Sequence, residues 1–133
     1  MSIVDEGSGV SCDRLLACDP AAARTARLAV DELGDRLESN LLADVRLLVS
    51  ELVTNGVRHG PGATAGPIRL QLAISDERLR AEVEDGGNGF DPSTPVPESL
   101  HSPGLGLRFV DQIADRGGVE CNGSTSVWFE LDL

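Results

Sequence analysis

The sequence contains no lysine: all 11 basic residues are arginine, set against 22 acidic ones for a net charge of -11. No basic run or face is available to neutralise a phosphate backbone, so nucleic-acid binding is not expected. Cysteine is scarce too. Cys12, Cys18 and Cys121 are odd in number and form no CxxC pair, which argues against a disulfide framework and a zinc site and for free thiols in a reducing compartment. Nowhere do eighteen apolar residues run together, and the opening MSIVDEGSGV lacks the cationic start of a leader. The expectation is a soluble, unexported, cytoplasmic protein with no membrane partner. At 133 residues it has the length of one domain, read as residues 10–133 behind a loose, polar stretch 1–9.

What is present is periodic. A short strand is expected around Val10 to Ala17. Asp19-Pro20 then starts a helix, predicted from Ala21 to about Leu37 with Leu28, Leu33 and Leu37 among its buried positions. Ser39-Asn40 offers a second cap. Leu41, Leu42, Val45, Leu48, Val49, Leu52 and Val53 recur at helical spacing until Gly60-Pro61 stops them. Ile68 to Ser75 alternates strictly, as does the run in which Leu79, Ala81 and Val83 share a face. A long Gly/Pro/Ser-rich loop precedes LRFVDQIADRGG, read as a short amphipathic helix ended by glycine. The closing STSVWFELDL alternates again. An antiparallel sheet covered on one face by helices fits this order.

Three places break the patterning, and such breaks often mark function. Glu51 and Asn55 lie one turn apart within LVSELVTNGVRHG, Leu48 to Gly60. They read either as solvated positions or as the polar edge of an interior cleft. At this spacing the carboxylate can orient or deprotonate a hydroxyl while the amide oxygen ligates a hard cation. His59, at the helix end, is explained by the terminal carbonyls and is given no catalytic role. Asp85 continues the inward phase of the second alternating run, where a carboxylate is costly unless a donor meets it. A flat ring with an amino group would supply that donor, and so would a turn capping the GGNG that follows. In SPGLGL, Ser102 to Leu107, two glycines precede a helix whose free amides suit phosphate, although the same string serves as a plain connection.

In this order the three resemble the motif boxes of the GHKL, or Bergerat-fold, ATPase superfamily. ELVTN resembles the helix box E-x-x-x-N, DGGNG the first glycine box, GLG the second, and Gly123 to Val127, GSTSV, the final G-x-T-x-V strand. The likeness runs from about Leu41 to the end and is strongest toward the small anti-sigma-factor serine/threonine protein kinases. It implies an α+β, two-layer fold with a mixed, mostly antiparallel sheet covered on one face by helices. It also implies ATP and Mg2+ as cofactors, with Glu51 as general base, Asn55 as magnesium ligand and Asp85 as acceptor of the adenine amino group. Gly87 and Gly89 would line the base; Gly104, Leu105, Gly106 and Leu107 would lie along the phosphates; Thr125 would support the adenine contact. The implied partners are a small STAS-type anti-anti-sigma protein, a sigma factor, and a second copy in a homodimer.

Two departures from the family pattern stand out. The loop from Phe90 to Pro103 is short and proline-rich beside the family's lid, and no lysine is present to meet a terminal phosphate, leaving Arg58 or Arg108 as sources of positive potential. The alternative to a kinase is therefore a non-catalytic ATP-binding module that docks on a partner.

Overall fold

The computed structural model describes residues 2–6, 9–59, 67–85, 107–121 and 125–133. In chain order these form β1 (Ser2–Glu6), β2 (Gly9–Leu16), α1 (Ala22–Asp31), a 3-10 turn (Gly34–Arg36), α2 (Ser39–His59), β3 (Ile68–Ile74), β4 (Arg78–Glu84), α3 (Arg108–Ile113), β5 (Arg116–Cys121) and β6 (Thr125–Asp132). The strands make one sheet in the order β1-β2-β3-β4-β6-β5, and every adjacent pair is antiparallel. β4 and β5 run in the same direction with β6 between them, which requires a crossover; α3 lies on it. The result is an α+β fold of two layers.

Strict alternation gives the sheet two different faces. Leu70, Leu72, Leu79, Ala81, Val83, Val127, Phe129 and Leu131 are buried against the helices. The register sets Ala81 between Leu72 and Phe129, so the small residue makes room for the largest side chain of the core. Complete burial of a phenylalanine contributes roughly 2–3 kcal/mol. From the helix layer, Val45, Leu48, Val49, Leu52 and Val53 of α2 close the core from above. α1 meets α2 through Ala22, Ala26, Ala29 and Val30, small residues that let the two axes approach.

The first helix is shorter than its sequence suggested. Asp19 does nucleate it: its Oδ1 accepts from Ala21 N at 2.9 Å and its carbonyl from Ala22 N at 3.1 Å. α1 ends at Asp31, and the chain turns through Gly34–Arg36 before α2. Leu33 is buried and Leu37 half-buried, but Leu28 is 57% exposed. The inward stripe of α1 recurs at 22, 26, 29, 30 and 33, which places position 28 on the opposite side.

Two strands differ from expectation. Ser2–Glu6, read as part of a loose terminus, pairs with β2 in the register Ile3 to Cys12 as an edge strand; the backbone ladder supplies an order that its polar composition does not advertise. Gly117 and Gly118, read as a helix stop, belong to β5. α3 has already ended, where Ala114 takes up extended geometry. Gly118 lies opposite Trp128, and a Cβ there would stand 2.8 Å from the indole Nε1. The glycine therefore lets the ring lie flat over the strand.

The uncovered face of the sheet is an ion-pair lattice. Arg69 donates from Nε to Asp13 Oδ1 at 3.0 Å and from Nη2 to Oδ2 at 2.5 Å. Arg116 bonds Glu130 at 2.9 Å and also holds Asp132. Arg80 reaches Glu82 at 3.1 Å and lies 4.3 Å from the centre of the Trp128 ring. These guanidinium bonds hold the carboxyls of Asp13, Glu130 and Asp132 below the usual carboxylate range.

Candidate functional site

Asn55 and Glu51 leave α2 on one line, a turn apart. The buried stripe of α2 brings this end of the helix down onto the sheet. Next to Asn55, the helix backbone at Gly56 sits so close to β3 and β4 that an ideal Cβ would meet Ile68 Cδ1 and Val83 Cγ1, each at 3.5 Å. Val83 is two residues before Asp85, so Asn55 and Asp85 flank one helix–sheet contact.

Asn55 is only 6% exposed, and its Oδ1 is buried with no hydrogen-bond partner among the described residues. An unmet buried acceptor costs roughly 1–3 kcal/mol and calls for an explanation. An amide oxygen is a ligand for a hard cation. Magnesium commonly takes only one or two protein oxygens and fills its remaining positions with water and substrate phosphates. Asn55 therefore fits the implied Mg2+. Among the described residues no group of three or more His, Cys, Asp or Glu side chains forms an all-protein metal cage.

Glu51 has partners that sequence reading did not supply. Its Oε1 accepts from Phe109 N at 3.2 Å and its Oε2 from Val110 N at 3.0 Å. Leu107, at the cap position of α3, makes no side-chain cap of its own, so the carboxylate of α2 caps that helix from 58 and 59 residues away in sequence. A carboxylate has about four lone-pair sites, so two amide bonds leave Glu51 able to accept a further hydroxyl. Leu107 itself is buried. No local signal in the sequence announces the bond, because the two amides carry no side-chain signature.

At the end of β4, Asp85 N donates to Thr125 O at 3.0 Å, and Thr125 N donates to Asp85 Oδ1 at 3.3 Å. This reciprocal pair ties the aspartate to the first residue of β6. Both residues are half-buried, and Asp85 directly follows β4, whose Leu79, Ala81 and Val83 are buried against the helices. Next to it, Ser126 Oγ donates to Glu84 Oε2 at 3.4 Å.

The structure thus gathers Glu51, Asn55, Asp85, Leu107 and Thr125 around one end of the two layers. Gly87, Gly89, Gly104, Leu105 and Gly106 lie outside the described residues, as do the side chains of Arg58, His59 and Arg108. No helix among the described residues is long and apolar enough to cross a membrane.

Comparison with known proteins places the chain in a family. The chain is 25% identical over 126 residues to the serine-protein kinase RsbW of Bacillus velezensis, covering 84% of this chain and 79% of that protein. It is 30% identical over 104 residues to the anti-sigma F factor of Clostridium acetobutylicum, covering 71% of this chain and 73% of that one. Among solved structures, the RsbU and RsbW domains of a Mycobacterium tuberculosis protein share the fold, with a TM-score of 0.70 at 22% identity over 91% of this chain and 32% of that one. Residues 16–130 match the histidine kinase-like ATPase domain, so the chain belongs to that GHKL-like family.

Proposed function

We propose that this chain is an ATP- and magnesium-dependent serine/threonine protein kinase of the anti-sigma type, working in the cytoplasm as a homodimer with one ATPase unit per subunit. Its acceptor is a small STAS-type anti-anti-sigma protein, and its other partner is a sigma factor. The observation that carries this reading is the buried, unpartnered Oδ1 of Asn55 one turn from Glu51.

In this reading Asp85, steadied by Thr125 N, accepts from the adenine amino group, with Gly87 and Gly89 beside the base. Gly104 to Leu107 lie along the phosphates. Asn55 Oδ1 would hold magnesium, which would supply the positive charge that offsets the phosphates. Glu51 takes the proton of the acceptor hydroxyl as its oxygen bonds the γ-phosphorus, the bond to the β,γ-bridging oxygen breaks, and ADP leaves. The α3 amides keep the Glu51 carboxylate aimed rather than free to rotate, which limits the reorganisation needed at the moment of transfer.

The same two amide bonds favour a second reading. In a nucleotide-binding module without turnover, Glu51 would be a structural cap and nothing more. Glu51→Gln separates the two, because the amide keeps one acceptor oxygen for α3 but cannot take a proton. The kinase predicts a fall in transfer from labelled ATP of about 10²- to 10⁴-fold with nucleotide affinity retained. Transfer equal to the wild type's would remove Glu51 as the base.

A further inference from the structure

Among the described residues five large apolar side chains are exposed: Leu15, Leu28, Leu47, Phe109 and Leu133. Leu15 is on the open face of the sheet, Leu28 on the outer side of α1, and Leu133 at the chain end. The other two share a neighbour. Leu47, 41% exposed, is one turn before Glu51 on α2; Phe109, 46% exposed, is the residue whose N–H donates to Glu51. Side chains on a helix lean toward its N-terminus, so the carboxylate of Glu51 leans over the turn that carries Leu47. Neither residue belongs to the buried core cluster. Leu48 and Val49 bury the adjoining turn of α2, and Val110 anchors α3.

We infer that Leu47 and Phe109 form the docking ledge for the acceptor protein, and that they take an apolar side chain one or two residues from the serine or threonine to be phosphorylated. The inference rests on the kinase reading of Glu51. A hydroxyl must come within about 2.6–3.2 Å of that carboxylate to lose its proton. An extended segment advances about 3.3 Å per residue and a helical turn about 5.4 Å, so the residues flanking the hydroxyl necessarily cover the side chains one turn from Glu51. On the α2 turn before Glu51 and at the α3 residue bonded to it, those side chains are a leucine and a phenylalanine, and the Glu51 carboxylate beside them is already met by the α3 amides. The ledge therefore selects an apolar neighbour, not a charged one.

The test uses the full chain, labelled ATP and the STAS-type regulator that the wild type phosphorylates. Leu47→Ser and Phe109→Ser should each raise the KM for the regulator about tenfold, the loss typical of truncating one apolar anchor at an interface. For Leu47→Ser, kcat at saturating regulator and ATP affinity by calorimetry should not move, and Phe109→Leu should restore most of the KM lost in Phe109→Ser. Leu28→Ser, more exposed at 57% and on the outer side of α1, should leave KM unchanged. Wild-type KM in both serine variants would overturn the ledge while leaving the kinase standing. Failure of the wild type to transfer phosphate to any such regulator would instead sink the kinase reading, and the ledge with it.

Discussion

The open face of the sheet and the polar edge of α2 treat charge in opposite ways. On the sheet, Arg69, Arg80 and Arg116 each meet carboxylates across neighbouring strands, and Arg80 also stacks on Trp128. At the edge of α2, among the described residues, a buried amide oxygen has no partner and a carboxylate is met by two backbone amides. The sheet face costs folding nothing it does not recover locally. The helix edge carries an unmet acceptor that folding alone would eliminate, and this contrast separates the part of the surface that serves the fold from the part held for a ligand.

Breaking the sheet face should produce the larger effect on stability. Gly118→Val puts side-chain atoms where a Cβ already stands 2.8 Å from Trp128 Nε1, so the indole must leave both the strand and Arg80. Denaturant unfolding should show a loss of about 1–3 kcal/mol. Unchanged stability would mean that Trp128 does not lie on β5. Gly56→Ala makes the reverse test beside the site. Its Cβ meets Ile68 and Val83 at ordinary contact distance inside a helix, so a gain of about 0.5–1 kcal/mol is expected. A loss there would show that α2 sits closer to the sheet than described.

The smallest effect is that of acid on the ion-pair lattice. The folded carboxyls of Asp13, Glu130 and Asp132 are lowered by their arginines, so the unfolded chain binds more protons. Their contribution is complete above the unfolded value near about 4 and drains away as pH falls through the folded values. Because Asp13 and Asp132 are solvent-exposed and only Glu130 is largely covered, the contribution is small, and high salt should blunt it further. Unfolding titrations from pH 6 to 3 at low and high salt would read this directly. Stability that rises on acidification would contradict the pairing.

The elements legible in the sequence were those whose burial follows a period. α2, β3, β4 and β6 keep one face inward throughout, and their boundaries fall close to the residues where Gly60-Pro61, Asp76-Glu77 and the inward parity of Asp85 placed them. β5 was not legible because a strand containing Gly117-Gly118 looks like a turn until Trp128 is laid across it. α1 was overextended because Leu33 and Leu37, which pack inward from the turn that follows the helix, continue a helical spacing in the sequence. In the site, the residue types of Glu51, Asn55 and Asp85 were visible. Their partners were not: Val110 and Thr125 contribute backbone atoms from 59 and 40 positions away, and a main-chain donor leaves no mark on a sequence.

The most direct measurement compares Asn55→Leu with the wild type, by denaturant unfolding without nucleotide and by calorimetric titration of ATP with and without magnesium. If Asn55 is held for the cation, the variant should be no less stable than the wild type, since an unpartnered buried oxygen has gone, and the magnesium-dependent part of ATP affinity should vanish. A variant that loses stability yet binds ATP with the same magnesium dependence would contradict the account.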